Sequence, residues 1–143
     1  MVFDERRVLI AGGGPVGLLC AWLLGRCGLP VRLFDVNETP QADPRAATTH
    51  PATLDLLADD GLADDMARVG LVAPIFQFWD RPSRTKVAEF DHVVLKHDTS
   101  HPFVVQCEQF KTAKLILERL RTLSGSARQA AQACAARRRA EPN

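Results

Sequence analysis

The stretch VLIAGGGPVGLLCAWLLGRCGLPVRLFD, Val8 to Asp35, constrains the fold of this chain more than any other part of it. Arg7 to Ala11 is a strand-like apolar run that ends in three consecutive glycines and a proline. A helix-forming run follows from Pro15 to Cys27, and Gly28 stands where a helix C-terminal cap belongs. Pro30 turns the chain, and Val31 to Asp35 reads as a second strand. Strand, helix and strand within about thirty residues make the βαβ crossover of an α/β sheet. The near-continuous apolarity of the first strand predicts that it is buried and parallel.

Gly12, Gly14 and Gly17 match the spacing GxGxxG between that strand and that helix. Each glycine has a physical duty in such a turn. Gly12 permits the sharp departure from the strand, Gly14 lets backbone approach a pyrophosphate, and Gly17 lets the helix lie close to the sheet. The helix N-terminus offers unpaired N–H groups and the positive end of its dipole to phosphates. Pro15 fits there because its missing N–H would have had no partner. The second strand ends in Asp35, whose carboxylate can accept hydrogen bonds from the ribose of an adenosine and would repel a 2′-phosphate. A glycine turn beside a solvated Asp35 is the bland alternative, and the full strand–helix–strand context speaks against it. The spacing does not choose between NAD and FAD.

The rest of the chain reads less sharply. Val36 to His50 has two prolines and no apolar period, so it is a long loop. Helices are expected from Pro51 through Ala58 and over Ala63 to Val69, separated by Asp60-Gly61. Pro74 to Asp80 and Thr85 to Asp91 are rich in aromatic and β-branched residues and predict a hairpin. Phe103 to Val105 is extended, and Glu108 to Leu123 has helical periodicity. Beyond Leu123 the chain is rich in alanine and arginine, without large apolar residues, and a disordered tail is expected, with a solvated continuation of the preceding helix as the alternative. The organisation expected is thus one domain over residues 1–122 and a tail over 123–143.

A net charge of +1 supplies no broad field to attract nucleic acid or anionic lipid. No apolar run is long enough to span a membrane, and the N-terminus lacks the pattern of a signal peptide. The 4 cysteines form no CxxC pair, which fits a reducing cytoplasm and gives no metal-ligand set. Cys20 and Cys27 are expected to be small buried apolar residues of the first helix. His50, His92, His97 and His101 are scattered, and none is assigned a catalytic role.

In four places the sequence resembles the flavin-dependent aromatic hydroxylases, the single-component FAD monooxygenases related to para-hydroxybenzoate and phenol hydroxylases. These are the GGGPVGL segment with its flanking strands, the DPRAATTHPATLDLLADDGL segment from Asp43 to Leu62, the hairpin from Pro74 to Asp91, and Val105-Gln106-Cys107-Glu108. The resemblance covers about residues 7 to 122. It implies a Rossmann-like FAD-binding domain followed by a hairpin belonging to a substrate-side sheet. Gly12, Gly14 and Gly17, with the backbone at Pro15 and Val16, would hold the FAD pyrophosphate. Asp35, where the family usually has Glu, would hold the adenosine ribose. Arg45 of the PRA segment would reach toward the cofactor, where a guanidinium suits an anion. Gln106 would hydrogen-bond the ribityl or phosphate region. Val36 stands where the family often has a basic residue, which leaves the adenine contacts undefined.

The activity implied is NAD(P)H-dependent hydroxylation of a small aromatic substrate, with the oxygen chemistry carried by the flavin. The family's Gly-Asp-Ala segment is not found, so a truncated, inactive portion of such an enzyme is expected. Two rival readings stay open: an NAD-binding Rossmann module of a dehydrogenase, and a non-catalytic fragment that folds with a partner.

Overall fold

The computed structural model describes residues 7–37 and 46–123. Its elements in chain order are β1 (Val8–Ala11), α1 (Pro15–Arg26), β2 (Val31–Phe34), β3 (Thr48–Thr49), α2 (Pro51–Ala58), α3 (Leu62–Val69), β4 (Leu71–Ala73), β5 (Ile75–Asp80), β6 (Thr85–Asp91), β7 (Val104–Gln106) and α4 (Gln109–Thr122). The described residues form two compact units, 7–37 with 112–123, and 46–111.

In the first unit β1 and β2 pair in parallel, from Val8 opposite Val31 to Ala11 opposite Phe34. The ladder runs on at both ends, with Val8 N–H donating to the Pro30 carbonyl (2.9 Å) and Gly12 N–H to that of Phe34 (2.7 Å). Helix α1 joins the two strands, with Pro15 at its start and Gly28 in the left-handed region just past its end. It buries Leu18, Ala21 and Trp22, one stripe at helical spacing. Val31 and Leu33 of β2 are buried by strand alternation, and Ala113, Ile116 and Leu120 of α4 are buried at helical spacing. The guanidinium carbons of Arg26 and Arg119 lie 5.1 and 6.0 Å from the centre of the Trp22 ring.

Two expectations fail in this unit. Strand β1 is parallel but not buried, since Leu9 is 62% exposed. Among the described residues it pairs with β2 alone, so an apolar run suited to a central strand stands at an edge. Cys20 and Cys27 are exposed as well. Both lie on the side of α1 opposite the Leu18–Ala21–Trp22 stripe, and a helix with one packed face leaves them in solvent.

The second unit holds a three-stranded sheet in the order β3-β7-β4, antiparallel throughout. Leu54 and Leu57 of α2 and Leu62, Ala63 and Met66 of α3 are buried, with Val104, Val105 and Cys107 in and after β7. The expected long loop thus ends in a strand, because Thr48 and Thr49 pair with Gln106 and Val105. Helix α2 starts at Pro51 as expected.

Strands β5 and β6 form the expected hairpin, with an irregularity between Phe78 and Trp79. The Asp80 carboxylate fastens its turn by accepting the Ser83 N–H (3.0 Å) and the Ser83 hydroxyl. One face carries Phe76 stacked on Phe90 (ring centres 5.1 Å apart) with Phe78 edge-on to Phe76. Gln77, Trp79, Lys86 and Glu89 are linked by hydrogen bonds through their side chains. All three phenylalanines are exposed. Beyond β6 the Asp91 carboxylate caps a short turn of 3-10 helix, His92–Leu95. Among the described residues, no helix is long and apolar enough to cross a membrane. The tail expected over 123–143 lies outside the described residues except for Leu123, as does Arg45.

Candidate functional site

The glycine turn and Asp35 meet at the C-terminal ends of the two parallel strands, where open α/β sheets bind ligands. The turn needs glycine for two separate reasons. Gly12 has φ +107, a region that side-chain-bearing residues avoid. Gly17 allows the first turn of α1 to press on the strand end, for a Cβ there would sit 1.9 Å from the Gly12 carbonyl oxygen.

Gly14 is the residue before the helix, extended at φ -71 and ψ 177, and its carbonyl accepts the first helical bond from Leu18 N–H (2.9 Å). No side chain caps this end, and the first turn carries no acidic residue. Its leading N–H groups therefore have neither an intrahelical partner nor a side-chain cap, an arrangement that suits an anion. Val16, 78% exposed, flanks them.

Asp35 follows β2 directly. One carboxylate oxygen accepts the Gly13 N–H at 2.5 Å, and the other accepts the Asn37 N–H at 2.7 Å. These bonds, from Asn37 first and then Gly13, hold the carboxyl below the ordinary aspartate range. Each oxygen keeps lone-pair capacity for a further donor, such as a sugar hydroxyl. The turn therefore has the parts for a phosphate and a ribose side by side.

Gln106 lies in the second unit, as the last residue of β7. Its side-chain carbonyl accepts the Thr48 hydroxyl at 2.9 Å. Its own unit thus supplies its neighbours, and Arg45 lies outside the described residues.

Three residues at these places went unassigned in the sequence. Gly13 donates to Asp35, and a Cβ on Gly13 would come within 3.0 Å of the Asp35 Cβ. The middle glycine of GGG was its signal. Asn37 donates its N–H two residues back, the local turn that Asp-x-Asn favours. Thr48 had no local signal at all. A further pair outside this site joins His101 Nδ1 to Asp55 at 2.6 Å, and this bond is the main cause of a lowered Asp55 pKa.

The protein-family profile described as "FAD binding domain" matches residues 5–141. The chain is 33% identical over 119 residues to 6-hydroxy-3-succinoylpyridine 3-monooxygenase of Pseudomonas putida (strain DSM 28022 / S16), covering 83% of this chain and 30% of that protein. It is 35% identical over 117 residues to 6-methylpretetramide 4-monooxygenase of Streptomyces rimosus, covering 82% and 21%. Its fold matches the crystal structure of p-nitrophenol 4-monooxygenase from Pseudomonas putida DLL-E4 with a TM-score of 0.75 at 31% identity, covering 83% of this chain and 31% of that one. The chain thus spans about a third or less of these relatives.

Proposed function

This chain belongs to the FAD binding domain family, and on that premise we propose that it is the FAD-holding part of an NAD(P)H-dependent monooxygenase acting on a small aromatic substrate. The observation that carries the reading is the seating of the Asp35 carboxylate on the glycine turn, 2.5 Å from the Gly13 nitrogen. It places an acid for a ribose beside a bare helix start for a diphosphate. The relatives named above, monooxygenases in title, support the reaction class.

In this reading Gly12, Gly14 and Gly17 keep the turn free of side chains, and the backbone at Pro15 and Val16 lines the diphosphate. Asp35 accepts from the ribose hydroxyls. Arg45 adds positive charge for the cofactor, and Gln106 donates to the ribityl or phosphate region. Bound FAD would supply the redox chemistry, taking two electrons from NADH or NADPH and passing one oxygen atom of O2 to an electron-rich ring. The protein's own work is to bind, orient and neutralise, and a reducing cytosol is the setting that fits its exposed thiols.

Titrating the chain with FAD and, separately, with NAD tests this. Quenching of flavin fluorescence with a rise in Tm is expected for FAD, with much weaker binding of NAD. Preference for NAD, or no binding of FAD, would overturn the proposal.

A further inference from the structure

We infer that Thr48 is a positioning residue for Gln106, fixing which end of its amide is offered to a ligand. The inference rests on the reading above that Gln106 contacts FAD. Thr48 and Gln106 are direct cross-strand partners in the antiparallel pair β3–β7. The Thr48 hydroxyl donates to the Gln106 amide oxygen at 2.9 Å. With the carbonyl oxygen engaged, the NH2 group, in the same plane on the other side of the amide carbon, is the end left to donate, and its donors suit phosphate or hydroxyl oxygens.

The backbone beneath is held from both sides. Leu71 of β4 pairs with Gln106 across one edge of β7 and Thr48 across the other. Cys107 N–H donates to the Ala47 carbonyl (2.7 Å) and Gln109 N–H to that of Ala46 (2.8 Å). Gly70, at the end of α3, approaches so closely that a Cβ on it would sit 2.6 Å from the Gln106 carbonyl oxygen. What stays free is the side chain, with three rotatable bonds. Thr48 is β-branched and stiff about χ1, so its hydroxyl is a fixed reference point for those bonds. Ordering the amide before binding spares that entropy when the ligand arrives.

The test compares FAD affinity, by flavin fluorescence, for the full chain and for Thr48→Val, Thr48→Ser, Gln106→Ala and Thr48→Val/Gln106→Ala. Valine keeps the shape and removes the donor, and is expected to weaken FAD binding roughly three- to ten-fold, the worth of one hydrogen bond. Serine should restore affinity to within about two-fold. In the Gln106→Ala background the valine change should have no further effect. Side-chain amide NMR of Gln106 gives a readout without cofactor, expected to shift in Thr48→Val and to stay near its place in Thr48→Ser. Wild-type affinity in Thr48→Val, losses that simply add in the double variant, or an unmoved amide signal would overturn the inference. Unchanged affinity in Gln106→Ala would remove its premise, and failure of the unaltered chain to bind FAD would sink the broader reading instead.

Discussion

Replacing Gly17 with alanine is expected to damage both the fold of the first unit and its ligand site, and the size of the effect follows from distances. The added Cβ would meet the Gly12 carbonyl oxygen at 1.9 Å and its carbon at 3.0 Å, with Ile10 Cγ2 at 3.4 Å. The first of these is more than an ångström short of any real contact. The obstacle is backbone, at the end of β1 and already bonded to Phe34 through Gly12 N–H, so no side chain can swing aside. Helix α1 must retreat, and Leu18, Ala21 and Trp22 retreat with it. Overpacking of this kind costs about 1–3 kcal/mol or more. Alanine returns up to about 1 kcal/mol through its better helix propensity. A net loss of about 2 kcal/mol lowers Tm by roughly 8 °C in a domain near this size. The same retreat draws the leading N–H groups of α1 away from the turn, so FAD affinity should fall even where the protein stays folded. Thermal unfolding with FAD titration at a temperature well below the transition separates the two effects. Val16→Ala, on the exposed side of the same turn, is the control and should leave Tm within about 1 °C. A Gly17→Ala chain with wild-type Tm and affinity would refute the close-approach argument.

Asp35→Asn is expected to weaken FAD binding roughly ten-fold by removing a charged acceptor; equal FAD affinity in the two proteins would tell against a ribose contact. The folded pKa of Asp35 is depressed, so its contribution to stability is present above about pH 4 and is lost as pH falls through the folded value. The asparagine variant should therefore show a flatter acid limb in Tm against pH. Asp55 follows the same sign through its bond from His101, and His101→Ala should raise the Asp55 pKa toward the ordinary value in a carboxyl NMR titration. On the hairpin, Phe76→Ser with Phe78→Ser should reduce binding of a hydrophobic dye and slow aggregation, with little effect on Tm, because both rings are exposed.

The resemblance to flavin-dependent hydroxylases was legible wherever chemistry and short-range geometry coincide. Gly12 needs a positive φ, Pro15 opens a helix, and Asp35 ends a strand, and each follows from constraints acting over a few residues. The hairpin was legible for the same reason, as two runs of strand formers around a polar turn.

What the amino-acid order determined alone was the βαβ unit with its bare glycine turn, since backbone sterics and helix-end chemistry are local. Tertiary structure decided the rest: Leu9 and Cys20 became exposed because packing on one side only leaves apolar side chains uncovered. It also brought Thr48 to Gln106, 58 residues away, and Asp55 to His101, 46 away. No local period encodes such pairs; they exist because antiparallel registry and helix packing bring distant segments together.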